Sequence, residues 1–175
     1  MRKLTFSCAN SLDNYIAGPG GTIDWILWNE ESSGAMAAQW KAVDTVLWGR
    51  KTFEFALLHG QNQGFPGKKN LVFSRSLASL DGPVTLITED AIEFVRNLKH
   101  RDGKEIHLMG GGELAKCLFD ADLIDEIRCN VHPLLLGSGI PLFHPMSRPI
   151  HLERVECHPF KNGCIAITYK VQNSK

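Results

Sequence analysis

The sequence predicts a single α/β domain spanning 1–175, in which helices flank a central, mostly parallel mixed sheet that ends in an antiparallel C-terminal hairpin. Strand-like segments alternate with helical segments over most of the chain, which is typical of parallel sheets. Asn162-Gly163 lies between the last two strand-like segments and is a strong hairpin signal. The length of 175 residues suffices for one hydrophobic core, and no repeat or linker divides the chain.

The periodicity of apolar residues places the individual elements. Strands are predicted at 3–10, 45–48, 70–73, 84–87, 105–109, 124–133, 151–160 and 164–171. Helices are predicted near 34–42, at 51–58, from 88 to about 101, and directly after the glycines at 110–112. Thr88 is predicted to cap the third helix. The stretches 11–33 and 59–67 are predicted to be turn-rich loops.

Charge and hydropathy argue against two classes of partner. Nineteen Lys and Arg residues balance nineteen Asp and Glu residues, so the chain has no basic excess for binding nucleic acid. No apolar run approaches the ~18 residues of a membrane-spanning helix, and the N-terminal segment is too short and polar for a signal peptide. We expect a cytoplasmic protein with a small-molecule ligand, no nucleic-acid partner and no membrane partner.

The cysteines and histidines form no recognisable metal or disulfide pattern. The five cysteines are scattered without a C-x-x-C pair, and the seven histidines show neither H-x-x-x-H nor H-E-x-x-H spacing. We therefore predict no metal site and expect small, buried, reduced thiols.

Three consecutive glycines, Gly110-Gly111-Gly112, connect a predicted strand to a predicted helix. Glycines allow close backbone approach, and the free N–H groups of a helix N-terminus favour an anion such as a pyrophosphate. The alternative is an ordinary tight turn that requires positive φ. The run is not G-x-G-x-x-G, and no G-x-x-x-x-G-K-[ST] loop occurs, so the sequence does not indicate an ATPase or GTPase.

Two further turns combine basic and hydroxyl side chains at predicted strand ends. R-K-T at 50–52 follows Gly49 and would occupy the first turn of a helix, whereas S-R at 74–75 follows a short strand. Each suits a phosphate group, and each has a plain alternative as a solvated turn with local capping. Because open α/β sheets bind ligands at the carboxyl ends of their strands, the three turns together predict a small phosphorylated cofactor.

Five segments, in this order, resemble the dihydrofolate reductase-like superfamily, above all the branch of the riboflavin-biosynthesis reductase C-terminal domain and its stand-alone relatives. They are A-N-S-L-D-N-Y-I-A-G (9–18), V-L-W-G-R-K-T (46–52), L-V-F-S-R (71–75), I-H-L-M-G-G-G-E-L (106–114) and L-I-D-E-I…P-L-L-L-G-S-G-I-P-L-F (123–143). The resemblance extends from residue 3 to about 171 and implies an NADPH-binding fold. It also implies pairing as a homodimer, for which the sequence itself shows no interface.

The resemblance assigns cofactor contacts residue by residue. Ala9 and Ile16 would line the nicotinamide pocket, and 11–33 would be a loop over the nicotinamide and the substrate. The implied phosphate contacts are Gly49, Arg50, Lys51 and Thr52 for the cofactor phosphates, Ser74 and Arg75 for the adenosine 2′-phosphate, and Gly110, Gly111, Gly112, Glu113 and Leu114 for the pyrophosphate. These residues constitute the predicted NADPH site.

The sequence departs from the patterns of dihydrofolate reductases and of riboflavin-pathway reductases. The identity of the substrate therefore stays open. Dihydrofolate reductases place a carboxylate early in the helix before the G-R-x-T strand, where this chain offers Glu30 and Glu31, slightly too early. Riboflavin-pathway reductases often carry Glu before the glycine run, where this chain has Met109, and usually read S-L-D-G, where it has Asn14. Asn tolerates the left-handed region, so the turn is expected to be preserved.

Three side chains in the predicted loop are candidates for substrate contact. Asp13 is the candidate catalytic carboxylate, which would contact a substrate ring or the cofactor ribose; the alternative is an Asx turn. Trp25 and Trp28 would wall the substrate pocket, or else pack in the core. Hydride transfer needs only alignment of the nicotinamide and a proton source, a role that water can fill.

The sequence thus predicts an NADPH-dependent oxidoreductase that reduces a small pyrimidine- or pteridine-like heterocycle by hydride transfer. One alternative is the 5-amino-6-(5-phosphoribosylamino)uracil reductase of riboflavin biosynthesis. An alternative of another class is a non-catalytic NADPH-binding regulatory domain.

Overall fold

The computed structural model describes residues 1–28, 30–60 and 64–172. The strands are β1 (Leu4–Ser11), β2 (Tyr15–Ala17), β3 (Val43–Gly49), β4 (Lys69–Phe73), β5 (Val84–Ile87), β6 (Glu105–Gly110), β7 (Glu126–His132), β8 (Ile140–Pro141), β9 (His151–Pro159) and β10 (Ile165–Gln172). The helices are α1 (Glu30–Trp40), α2 (Arg50–Leu58), α3 (Ala91–His100) and α4 (Gly112–Asp120), and Pro19–Gly21 forms a single 3-10 turn.

Eight strands form one sheet in the order β5-β4-β3-β6-β1-β7-β10-β9. The first six of these strands run parallel to one another, whereas β10 is antiparallel to both β7 and β9. The predicted fold class, a mostly parallel mixed sheet with an antiparallel C-terminal hairpin, is confirmed.

The register of the sheet brings the predicted phosphate turns to one edge. β4, β3 and β6 are adjacent, with Gly49 paired to Phe73 and Trp48 paired to Gly110. The chain leaves all three strands at the same level, directly before Arg50, Ser74 and the glycine run. Because the strands are parallel, their carboxyl ends meet at this edge.

Apolar side chains cover the two faces of the sheet unequally. The larger core lies under α3 and α4 and includes Leu4, Phe6, Val95, Leu98, Leu108, Leu118 and Ile124. The smaller core lies under α2 and consists of Val43, Val46, Trp48, Phe53 and Val72. Each fully buried large apolar side chain of this kind stabilises the fold by roughly 1.5–3 kcal/mol. Helix α1, by contrast, buries none of its side chains, and only Trp40 packs on the smaller core.

Two predicted helix starts are wrong. Helix α1 begins at Glu30, four residues before the predicted start, because two acidic residues in its first turn are favourable at the positive end of the helix dipole. Helix α3 is capped by Asp90, whose carboxylate accepts the N–H of Glu93 at 3.0 Å, and not by Thr88. Asp is the stronger cap of the two, and it lies directly before the first helical residue.

The predicted loops contain structure that the sequence did not indicate. β2 and β8 pair as a small antiparallel sheet, which connects the segment after β1 to the segment after β7. The predicted terminal hairpin is confirmed, with Gly163 at φ +88° in its turn. The expectation of buried thiols holds for Cys164 but is wrong for Cys157, which is exposed on the edge strand β9.

Among the described residues, no helix is long and apolar enough to cross a membrane. Within the same ranges, no three His, Cys, Asp or Glu side chains lie close enough together to share a metal ion.

Candidate cofactor-binding site

The N-termini of α2 and α4 lie at the carboxyl edge of the sheet, and neither is capped by a side chain. Gly49 precedes α2 and Gly111 precedes α4, so no side-chain oxygen occupies the first-turn N–H groups. In α4 the first backbone bond runs from Ala115 N to Gly111 O at 2.9 Å. The N–H groups of the first three residues in each helix therefore have no partner within the helix and suit an anion.

The two turns touch at Gly49. A Cβ atom at Gly49 would lie 3.1 Å from the backbone N of Gly111 and 3.3 Å from the carbonyl O of Gly110. Oγ1 of Thr52 lies 3.5 Å from the Cβ positions of both Gly110 and Gly111, and Gly110 has φ +122°. A side chain at Gly49 would thus push against backbone atoms, and glycine allows the turns to form one continuous cradle.

Two of the three predicted cationic side chains are free to meet a ligand. Lys51 and Arg75 are exposed and make no ion pair with another described residue. Arg50 is paired with Glu54 in the same helix at 2.8 Å, an arrangement that is weak at a half-exposed position.

Ser74 is buried and shapes the turn that carries Arg75. Its Oγ accepts hydrogen bonds from the backbone N–H groups of Ser76 at 3.2 Å and Leu77 at 3.1 Å. These bonds fix the local turn, and Ser74 Oγ also lies 3.5 Å from Ser76 Oγ.

The side chains around the glycine turn fit only part of the predicted pyrophosphate contacts. The Leu114 side chain is buried in the larger core, so only its backbone N–H can face a cofactor. The Glu113 side chain is exposed and lines a shallow groove with Lys116 and Asp120. A Cβ atom at Gly112 would lie 2.0 Å from the ring of His144, which therefore packs against the start of α4. His144 enters from a distant loop, so no local sequence pattern connects it to the glycine run.

The nicotinamide end of the predicted site lies at the carboxyl end of β1. Ala9 pairs with Asn130 of β7, and Ile16 in β2 packs at the edge of the larger core. Asn14, with φ +63°, occupies the left-handed position in the turn between β1 and β2, as its tolerance of that region predicts.

Asp13 connects this turn to the loop after β7. Its carboxylate accepts from the Ser11 hydroxyl at 2.6 Å, from Gly137 N at 2.7 Å and from Leu136 N at 3.1 Å. The hydrogen bond from Ser11, followed by those from the two backbone N–H groups, lowers the pKa of Asp13. These contacts give Asp13 an architectural role, and its catalytic assignment stays a prediction.

The two candidate tryptophans have different surroundings. Trp25 meets the ring of His132 edge-on at a centroid distance of 5.2 Å, whereas Trp28 exposes 67% of its surface. Glu31, one of the carboxylates considered for substrate binding, accepts from Lys161 N at 3.3 Å and lies 3.4 Å from Nε2 of His158. It therefore points to the β9–β10 turn.

Sequence reasoning missed a polar pair on the sheet face next to α1. Ser7 Oγ lies 3.1 Å from Nε2 of His107, and the Trp40 ring lies 4.7 Å from the His107 ring. Burial, reinforced by the charge of Arg128, lowers the pKa of His107 to about 4 and keeps the ring neutral at pH 7. Strand alternation does place Ser7 and Ala9 on one face, but nothing in the sequence couples Ser7 to His107.

The fold and these turns define the dihydrofolate reductase-like class of α/β proteins. The family model described as RibD C-terminal domain matches residues 2–166, and the chain belongs to this family. Bacillus subtilis (strain 168) YyaP, described as an uncharacterized protein, is 31% identical over 179 residues, covering 96% of this chain and 94% of YyaP.

Two solved structures show the same fold. The protein described as "Putative riboflavin biosynthesis protein" from Shewanella sp. PV-4 matches with a TM-score of 0.86 and 24% identity, over 99% of this chain and 100% of that one. Enterococcus faecalis dihydrofolate reductase, complexed with NADP(H), matches with a TM-score of 0.75 and 16% identity, over 98% and 97% of the two chains. The chain therefore has the dihydrofolate reductase-like fold.

Proposed function

We propose that the protein is an NADPH-dependent oxidoreductase that reduces a small heterocycle of the pyrimidine or pteridine kind. The cofactor, when bound, supplies a hydride. The first-turn N–H groups of α2 and α4 would hold its phosphates, with Lys51 and Thr52 beside them. Ser74 and Arg75, on the adjacent strand, would hold the 2′-phosphate.

The contact between Gly49 and the glycine run is the observation that carries this proposal. Two helix N-termini without side-chain caps meet at position 49, where a Cβ atom would press against the backbone of the glycine run. A single uncapped helix would be an ordinary βα turn. Two such helices that share a cradle suit a ligand with several phosphate groups, since Lys51 and Arg75 make no ion pair with any residue that the structure describes.

A comparison of NADPH with NADH tests the assignment of the 2′-phosphate. We expect wild type to bind NADPH at least tenfold more tightly than NADH in a tryptophan-fluorescence titration, because a guanidinium–phosphate pair contributes on the order of 1.5–3 kcal/mol. Arg75→Ala should remove most of this preference. Arg96→Ala, in an exposed ion pair on α3, is the matched control and should leave it unchanged. Equal affinities of wild type for both cofactors would contradict the assignment.

The uracil reductase of riboflavin biosynthesis is the alternative within the same class. Membership of the RibD C-terminal domain family favours it, whereas Met109 and Asn14 depart from the pattern of those enzymes. Complementation of a riboflavin-auxotrophic strain decides between the two, since growth without riboflavin requires this particular reduction.

A non-catalytic NADPH-binding domain is the alternative of another class. The engagement of Asp13 and Glu31 in architectural contacts favours it, because neither carboxylate is left free for a substrate. NADPH binding without cofactor oxidation across a panel of pterins, pyrimidines and ribosylaminopyrimidines would support this alternative.

Location and oligomeric state stay predictions. The cytoplasmic assignment follows only from the sequence. The homodimer is supported by apolar side chains on the β9–β10 hairpin, where Leu152, Val155 and Ile165 are 41%, 61% and 37% exposed. A second copy would cover these side chains.

A further inference from the structure

His132, the last residue of β7, is fully buried although its ring is polar. Its Nδ1 lies 3.3 Å from the backbone N of Leu27 and 3.3 Å from Sγ of Cys164. Its Nε2 lies 3.4 Å from the side-chain amide of Asn130, and Trp25 covers the ring edge-on. The imidazole therefore joins the segment before α1, strand β7 and the start of β10.

The hydrogen-bond partners determine which ring nitrogen carries the proton. A backbone N–H only donates, so Nδ1 accepts from Leu27 and the proton lies on Nε2. The acceptor for Nε2–H is the amide of Asn130, whose Oδ1 is otherwise buried without a partner. Turning this amide over exchanges its O and N, so that Oδ1 accepts the Nε2–H of His132. Burial lowers the pKa of His132 and keeps the ring neutral.

Residues 22–28, which we call the strap, are fastened on two sides at Leu27. The Leu27 N–H donates to His132, and the Leu27 carbonyl accepts from Nδ2 of Asn162 at 3.2 Å. Asn162 is itself held, since its Oδ1 accepts the N–H of Cys164 at 3.1 Å. The next turn of chain is held as well, through the contact of Glu31 with the backbone of Lys161. The strap is thus attached to β7 and to the β9–β10 turn.

We propose that neutral, Nε2-protonated His132 is a positioning residue that holds the strap over the substrate pocket by accepting the Leu27 N–H. This inference rests on the proposed function, in which Trp25 and Trp28 wall that pocket. Trp25 is fixed directly against His132. Trp28 follows Leu27 and keeps most of its ring exposed, so a ligand can meet it only where the strap places it.

Two measurements on the ligand-free full chain test the hydrogen bond from the Leu27 N–H to Nδ1 of His132, which we call the latch. In nitrogen NMR, we expect His132 to carry its proton on Nε2. In amide exchange, His132→Phe should accelerate exchange at Leu27 at least about tenfold, because the hydrogen bond that protects this N–H is lost. His132→Asn, which restores an acceptor at the δ position, should keep exchange within about threefold of wild type. A proton on Nδ1, or equal exchange in both variants, would overturn the proposal.

A variant in the hairpin turn tests the attachment of the strap even if His132→Phe does not fold. Asn162→Asp keeps the acceptor for Cys164 N–H and removes the donor to the Leu27 carbonyl. We expect faster exchange at Leu27 with little change in the melting temperature. Unchanged exchange would show that the turn does not fasten the strap.

The pH profile separates this role from simple packing. Protonation of Nδ1 expels the Leu27 N–H, so wild-type Leu27 should lose protection, after correction for intrinsic exchange, in a step below pH ~6.5, the usual pKa of histidine. The step should be absent in His132→Asn. Of the described groups against the ring, only the Cys164 thiol titrates, and burial raises its pKa, away from the acid range. An identical step in His132→Asn would contradict the latch.

NADPH titration distinguishes failure of this proposal from failure of the proposed function. We expect NADPH to bind His132→Phe at least fivefold more weakly than His132→Asn, as for the loss of one hydrogen bond that orders the site. If wild type binds no NADPH, the cofactor assignment fails and the latch is judged by the tautomer and exchange data. If NADPH binds equally to all three proteins while Leu27 exchange differs, the latch does not serve the site and the proposal is overturned.

Discussion

At the scale of single residues, the site depends on what is absent from position 49. Gly49 is in the extended region and needs no special φ, so its requirement comes from its neighbours and not from its own backbone. The neighbours are the N and Cα of Gly111 and the O of Gly110, none of which can rotate away as a side-chain tip could. A side chain introduced at position 49 therefore tests whether the cradle needs this close approach.

Gly49→Ala should both destabilise the protein and weaken cofactor binding. The added methyl group would lie 3.1–3.3 Å from three backbone atoms, and overpacking of this kind costs on the order of 1–3 kcal/mol. Urea denaturation measures the stability, and fluorescence titration with NADPH measures the affinity.

Gly34→Ala is the matched control for this substitution. Gly34 lies inside α1, and a Cβ atom there meets nothing within 4 Å. We expect a gain of about 0.5–1 kcal/mol in the free energy of unfolding, as for Gly to Ala in a helix interior, with unchanged NADPH affinity. A loss of affinity in Gly34→Ala equal to that in Gly49→Ala would show that the cradle is not the cause.

His107 should make stability depend on pH. Its folded-state pKa of about 4 lies below the value of about 6.5 expected in the unfolded chain, so the unfolded state binds more protons between these values. The contribution is fully present above pH ~6.5 and is lost on acidification to pH 4, by ~3 kcal/mol. Urea denaturation at pH 7 and pH 4.5 measures this loss, and His107→Gln should make it smaller. An equal loss in the variant would assign the pH dependence to other groups.

Some residues of the site could be predicted from the sequence, whereas the two buried histidines could not. The turns at Gly49 and at Gly110–Gly112 could be predicted, because their chemistry is local and each follows a strand. His107 and His132 could not be selected, since their partners Ser7 and Leu27 come from segments about a hundred residues away. A buried histidine becomes interpretable only when its hydrogen-bond partners are known.

At the scale of elements, the strand ends were predictable and the short pairings were not. The predicted strands 70–73 and 84–87 lie within β4 and β5, and the parallel order of the strands places the turns at one edge. β2 and β8 have three and two residues, too few to show any periodicity. Helix α1 starts earlier than its apolar residues suggest. These residues are a poor guide to its start, because the helix packs little and shows hardly any amphipathic pattern.

Helix α3 is attached to the sheet through a buried lysine, which makes a sharp prediction possible. Nζ of Lys99 donates to the Leu123 carbonyl at 2.6 Å and to Asp125 at 2.5 Å, and Asp125 also accepts the N–H of Leu4. Asp125→Ala would leave the charge of Lys99 buried without its partner, which costs about 3–5 kcal/mol. Urea denaturation measures this cost.

Lys99→Met is the control, because it removes the buried charge together with the ion pair. Replacing a buried charge with an apolar side chain of similar length is often neutral or stabilising. We expect a change well below that of Asp125→Ala. If both variants lose the same free energy of unfolding, the ion pair itself, and not the orphaned charge, stabilises α3.

At the scale of the whole molecule, a net charge of zero still allows strong local binding of an anion. Many charges are engaged in internal pairs, such as the four-residue network of Lys3, directly before β1, with Glu105 on β6 and Glu126 and Arg128 on β7. Lys51 and Arg75 have no such partner among the described residues. Composition alone could therefore argue against a polyanion but could not show where single cations remain free.

The exposed hairpin makes a prediction about assembly. If a second copy covers β9 and β10, Val155→Glu should convert a dimer to a monomer in sedimentation velocity, because it would bury an unpaired charge at the contact. Leu58→Glu, which is 84% exposed on α2, is the control and should leave the dimer intact. A wild-type monomer at micromolar concentration would contradict the homodimer.

The central claim is that NADPH binds across the N-termini of α2 and α4. Amide chemical-shift mapping of the full chain during an NADPH titration tests it most directly. We predict the largest saturable shifts at residues 50–52, 74–75 and 112–114, with small shifts on the β9–β10 hairpin. Saturable shifts confined to another surface, such as the β9–β10 hairpin, or no shifts at millimolar NADPH, would contradict the account.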